Sequence, residues 1–194
     1  MTRSVRRVGK PVLDATLDPE FPTLTASRSV PPHEEEGKGD EMTSIVEGAA
    51  APDFTMDTPE GPVSLADFTG KSLVLYFYPK DDTGGCTKEA QAFTALSDDF
   101  AKAGATIIGV SKDSLASHKK FTAKYALNVT LASDPEGAVI EAYRAWVEKS
   151  MYGRQYMGIE RSTFLIQDGT FKRIWRKVRV PGHAEEVLAA LKVA

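Results

Sequence analysis

Beyond residue 42, apolar and polar positions fall into short periodic stretches, each with its own spacing. "APDFTMDTPEGPVSLADF" (51–68) predicts two short strands joined at "TPEG", where proline and glycine favour a turn. "KSLVLYFYP" (71–79) is a nearly unbroken β-branched and aromatic run, the pattern of a strand buried on both faces. "TKEAQAFTALSDDFAKAG" (87–104) places Ala90, Phe93, Leu96 and Phe100 at helical spacing, with Gly104 as its stop. "ATIIGVS" (105–111) predicts the next buried strand. "SLASHKKFTAKYA" (114–126) predicts the next helix, capped by Asp113 or Ser114. A short strand at "VTLAS" (129–133) and a helical stretch at "EGAVIEAYRA" (136–145) follow. "RSTFLIQDGTFKRIWRKV" (161–178) predicts a hairpin turning at Asp168-Gly169. The closing helix, "AEEVLAALKV" (184–193), gathers Val187, Leu188 and Leu191 on one face.

Strand and helix alternate, then a hairpin and a helix close the chain. This order predicts an α/β thioredoxin-like fold, a central mixed β-sheet flanked by helices. Alternation favours parallel pairing in the first half, and the tight turn requires antiparallel pairing in the second.

Residues 1–41 carry no such period. Repeated prolines and the "HEEEGKGDE" run predict a disordered, non-catalytic tail, followed by one domain over residues 43–194. "SVRRVGK" has the look of a twin-arginine signal, but Asp14, Asp18 and Glu20 stand where its apolar segment belongs. Met42 is a plausible alternative start.

The whole chain has 194 residues, 42% hydrophobic and 26% charged, with a net charge of −3. That composition builds a globular core and offers no electrostatic case for a nucleic-acid partner. The longest apolar run is too short to cross a membrane, and the expected location is cytoplasmic. There is a single cysteine, Cys86, so no internal disulfide is possible. His33, His118 and His183 have no metal-ligand spacing with it, and no metal site is expected.

Cys86 lies in "LVLYFYPKDDTGGCTKEAQ" (73–91), where a strand ends at Pro79 and a helical pattern starts near Thr83. A lone cysteine is most often a small buried hydrophobe. Here Gly84 and Gly85 let the backbone approach another group closely. With Thr83 as N-cap, Cys86 is the third helical residue, where unpaired N–H groups and the helix dipole favour a thiolate. A strand, a glycine loop and a helix also describe a phosphate cradle. However, "TGGCTKE" matches neither G-x-x-x-x-G-K-[ST] nor G-x-G-x-x-G, and a C-x-x-C dithiol is absent.

Pro79, Thr83 and Cys86 together match P-x-x-x-[TS]-x-x-C, and the chain here resembles the peroxiredoxins. "YPKDDTGGCTKEA" is similar to the active-site loop of their bacterioferritin comigratory protein (PrxQ) branch. The likeness runs from about Ala51 to the C-terminus through "APDFTM", "MYGRQYMGIERSTFLI" and "GHAEEVL". It implies a peroxidase that reduces hydrogen peroxide and organic hydroperoxides. By the same resemblance Cys86 is the peroxidatic cysteine, and the Thr83 hydroxyl bonds the thiolate and the incoming peroxide. Pro79 shields the site from bulk water. Arg161 matches the arginine that reaches the pocket from a distant strand. Each also has a plainer reading: helix cap, strand terminator and surface ion pair. No metal, haem or flavin cofactor is implied.

Two positions depart from that branch. Gly84 stands where proline is usual, and Gln91 occupies the position, five residues after Cys86, where many members carry a resolving cysteine. A chain with one cysteine is therefore expected to be a 1-Cys variant, restored by an external thiol. Thioredoxin, glutaredoxin or glutathione each fit, as does a transient bridge between the Cys86 residues of two subunits. The resemblance suggests a monomer or weak homodimer. Met151, Tyr152, Tyr156 and Met157 either line an entrance, contact a partner or cover the core. The alternative from another class is a thioredoxin-fold redox sensor or binding protein whose cysteine oxidises without rapid turnover.

Overall fold

All six residues of the central strand, Ser72–Phe77 (β3), are buried, which demands cover on both faces. The computed structural model, which describes residues 44–151 and 153–193, supplies that cover. The expected tail over residues 1–41 lies outside the described residues.

An antiparallel hairpin comes first, β1 (Thr55–Thr58) and β2 (Gly61–Ser64), turning where "TPEG" predicts. After β3 come α1 (Gly84–Ala95), α2 (Ser97–Lys102), β4 (Ala105–Ser111), α3 (Leu115–Tyr125), β5 (Thr130–Ser133) and α4 (Ala138–Ala142). Two more antiparallel pairs follow, β6 (Trp146–Met151) with β7 (Arg154–Ile159), and β8 (Ser162–Gln167) with β9 (Thr170–Trp175). The helix α5 (His183–Leu191) closes the described chain. Seven strands form one sheet in the order β2-β1-β5-β4-β3-β8-β9. It is parallel across β3, β4 and β5 and antiparallel at β8 and β9, so the expected mixed sheet is present.

Alternation along β3 divides the interior in two. Val74 and Tyr76 join Cys86, Phe93, Phe100 and Leu188 on one side, while Leu75 and Phe77 join Phe164, Ile140 and Tyr143 on the other. Tyr76 stacks on Phe93 with centroids 4.8 Å apart. A Cβ on Gly109 would stand 2.5 Å from that tyrosine ring, so β4 needs glycine where the ring crosses it. Ser114 caps α3 by accepting the Ser117 N–H at 3.3 Å. Asp168 and Gly169 turn the β8–β9 hairpin with φ of 48° and 69°, the pair of left-handed residues that a tight hairpin turn uses.

Two expectations need correction. The helix read as continuous over 87–104 is two helices, because Leu96 leaves helical geometry (φ −104°, ψ 4°) and caps both. The apolar spacing runs on through the break, and no glycine or proline marks it. The β6–β7 hairpin was not foreseen as strands. It forms a separate two-stranded sheet, and most described β7 side chains are exposed, so it lacks the one buried face that produces a period of two. Among the described residues no helix is long and apolar enough to cross a membrane.

Candidate active site

β3 ends beneath the loop Tyr78–Thr83, and α1 begins at Gly84 with Thr83 as its N-cap (φ −104°, ψ 150°). Cys86 is thus the third residue of α1, as the spacing predicts, and is only 2% exposed. It is packed into the core cluster of Tyr76 and Phe93, where few solvent contacts compete with protein dipoles.

Arg161 arrives from the segment between β7 and β8, and its Nη2 donates to Cys86 Sγ at 3.3 Å. A guanidinium at that distance stabilises negative charge on sulfur. The approach crosses Gly85: a Cβ there would stand 3.3 Å from Nη2, tighter than most such contacts. Glycine thus lets the guanidinium lie over the first helical turn. Gly84 has open space around it and a φ outside the left-handed range.

The other half of the guanidinium is held by Glu89, one turn along α1, through an Nη1–Oε2 ion pair. Glu89 is 1% exposed, and its Oε1 has no hydrogen-bond partner in the protein; nor has the buried Tyr76 hydroxyl. Burial pushes the Glu89 carboxyl up to about 7, with Arg161 pulling the other way. Burial disfavours the Arg161 charge, but Glu89 and Cys86 outweigh it and keep the guanidinium protonated. Burial, then Glu89 and Cys86, hold the Tyr76 phenol well above the usual tyrosine range. On the hairpin side, burial and then Arg161 push Lys149 below the usual lysine range, against Glu160 and Cys86.

Thr83 and Pro79 belong to the loop that leads into α1, and neither makes a hydrogen bond to the sulfur. The Thr83 hydroxyl donates to the Lys80 carbonyl at 3.0 Å and makes no side-chain cap bond to the helix. Pro79 is exposed on the wall of a groove of about 350 Å³, with Lys112, Trp146, Lys149, Tyr156 and Met157. Tyr156 is 43% and Met157 50% exposed, so these two do not cover the core; the Met151 and Tyr152 side chains lie outside the described residues. Gln91 is exposed on α1. Among the described residues no cluster of three or more His, Cys, Asp or Glu side chains is arranged to hold a metal ion.

Sequence reasoning missed Glu89, although its place three residues after Cys86 on a helix was a usable signal. It also missed the network behind the loop. Asp81 Oδ1 accepts the Tyr78 hydroxyl at 2.6 Å, while its Oδ2 accepts from Ser117 Oγ at 2.7 Å and lies 2.9 Å from His118 Nδ1.

Comparisons with known proteins identify the family. Residues 48–173 match the AhpC/TSA family. A putative peroxiredoxin bcp of Coxiella burnetii is 49% identical over 150 residues, covering 76% of this chain and 99% of that protein. The peroxiredoxin Bcp of Bacillus subtilis is 48% identical over 147 residues, covering 75% and 94%. Among solved structures, the bacterioferritin comigratory protein of Xanthomonas campestris superposes with a TM-score of 0.69 at 48% identity, covering 72% of this chain and 90% of that one. A thioredoxin-like sheet, a helix-borne cysteine against an arginine, and relatives of this closeness have one meaning: the chain belongs to the AhpC/TSA family, as a peroxiredoxin of the bacterioferritin comigratory protein (PrxQ) branch.

Proposed function

We propose that the protein is a thiol-dependent peroxidase of the 1-Cys type, with Cys86 as its nucleophile. The observation that carries this reading is the Arg161 guanidinium 3.3 Å from a sulfur in the first turn of α1. The Xanthomonas campestris relative is known for alkyl peroxide reduction.

The Cys86 thiolate attacks the terminal oxygen of a hydroperoxide. An S–O bond forms as the O–O bond breaks, and the departing alkoxide or hydroxide takes a proton and leaves as alcohol or water. Arg161 stabilises charge on sulfur before the step and on the peroxide oxygens during it. With its own proton given to the Lys80 carbonyl, the Thr83 hydroxyl oxygen accepts the hydroperoxide O–H, and Pro79 excludes bulk water. Cys86 remains as sulfenic acid. Two equivalents of an external thiol then return it to the thiol, releasing one disulfide and one water. Thioredoxin, glutaredoxin and glutathione are the candidate reductants, since the chain has no second cysteine.

The test is steady-state peroxide consumption with each reductant in turn, for the full chain and for Cys86→Ser. Catalytic turnover that disappears in Cys86→Ser is expected. Consumption of one equivalent per protein, whatever the thiol, would instead make Cys86 a sensor.

A further inference from the structure

The roles proposed for Pro79 and Thr83 require the loop Tyr78–Thr83 to hold its shape, yet it carries a residue in an unfavourable conformation. Asp82 has φ of 54°, in the left-handed region that side chains other than glycine rarely adopt. Bonds to α3 oppose that strain. The Asp82 carboxylate accepts from Lys124 Nζ at 2.7 Å and from the Tyr125 hydroxyl at 2.5 Å. These groups are exposed, so their hold is weak.

The stronger hold is buried. Besides the Tyr78, Ser117 and His118 contacts, the Asp81 N–H donates to Asp113 Oδ2 at 2.8 Å. His118 is fully buried, and its Nε2 lies 3.2 Å from the Ala132 carbonyl. Both ring nitrogens therefore face oxygen acceptors: a neutral ring satisfies one of them and an imidazolium both. A buried carboxylate and a buried imidazole tie the loop to α3 and, through Ala132, to β5. Among the described residues no hydrogen bond links these groups to Cys86 or Arg161, and the chemistry proposed above makes no use of them.

We propose that His118 is a positioning residue for the peroxide step: through Asp81 it holds the Tyr78–Thr83 loop in the geometry that Pro79 and Thr83 need. The inference rests on Cys86 being the attacking nucleophile. It assigns His118 no contact with substrate. A loosened loop leaves the sulfur and Arg161 in place, but lets the residues that orient the peroxide drift. A thiolate then reacts as before with any electrophile that needs no oriented loop.

The experiment compares two reactions of Cys86 at one pH, oxidation by hydrogen peroxide under rapid quench and alkylation by iodoacetamide. Both are run on the full chain, on His118→Leu, which keeps apolar volume, and on His118→Gln, whose amide can still donate to Asp81. Oxidation in His118→Leu should slow by about 10-fold or more, as a loss of orientation does. Alkylation should hold or rise, and His118→Gln should recover most of the oxidation rate. Ser117→Ala, a half-buried change that spares the ring, should show the same split at a smaller size. An unchanged oxidation rate in His118→Leu, or oxidation and alkylation falling together in all variants, would overturn the proposal. The wild-type oxidation rate tests the peroxidase reading separately, because only the ratio of variant to wild type reports on His118.

Discussion

Two buried carboxylates, Asp81 in the loop before α1 and Glu89 on α1, each lie beside a basic side chain, and their affinities for a proton shift in opposite directions. Asp81 accepts from Tyr78 and Ser117 and faces His118. Burial pushes it up, but those contacts outweigh burial and leave it below the usual aspartate range. Glu89 has Arg161 alone, with its second oxygen unpartnered, and burial carries it up to about 7. The difference lies in the number of donors: one guanidinium, shared with a sulfur, does not replace the water that a carboxylate loses. Behind the loop the protein has a permanent anchor. Beside Cys86 it has a carboxyl poised between its two forms at neutral pH.

The sharpest way to break this comparison is to remove the group that the sulfur and Glu89 share. Arg161→Met should slow Cys86 oxidation by about 10²-fold or more if the guanidinium acts on the transition state. Stopped-flow oxidation measures it, and circular dichroism should show the sheet retained. An unchanged rate would make Arg161 a structural ion pair.

The next effect is on stability against pH, and its sign differs between the two carboxylates. Glu89 is raised from 4.5 to about 7, so its contribution is intact below pH 4.5 and is lost as pH climbs through 7. That loss amounts to about 3 kcal/mol. Asp81 is lowered, so its contribution is present above the ordinary aspartate range and lost as pH falls through its folded value. Urea unfolding in a Cys86→Ser background removes the thiol's own titration. There, Glu89→Gln should gain on its parent as pH rises from about 4.5 to 7, whereas Asp81→Asn should gain on it only in acid. Parallel pH profiles for the two variants would erase the distinction.

The smallest effect concerns the open end of α1. Gly84 is the first helical residue, nothing crowds it, and Thr83 before it is extended, which is the setting proline prefers. Gly84→Pro should raise stability by about 0.4–1 kcal/mol without slowing oxidation. A destabilised variant would mean that the first turn needs glycine's freedom.

The elements that were legible in the sequence are those with one consistent environment. β3, β4, β8 and β9 have long apolar runs or a turn with a clear signature, and Thr83, Gly85 and Cys86 belong to one short local segment. Arg161 was legible only through resemblance, since no local pattern links it to a sulfur on α1. Glu89 sits in "TKEA", where charge on a helix reads as solvated, yet an arginine from the β7–β8 junction buries it. His118 resembles any histidine on an amphipathic helix until Asp81 and Ala132 stand on either side of its ring. The β6–β7 hairpin had no periodic signal because the exposed β7 residues need none.

The most direct test of the account is what happens to Cys86 after one equivalent of peroxide. The intact mass should rise by a single oxygen located on Cys86, with no intramolecular disulfide, and an added thiol should return the original mass and allow repeated turnover. A protein that gains no oxygen, or gains one that no thiol removes while consumption stops at one equivalent, would contradict a one-cysteine peroxidase.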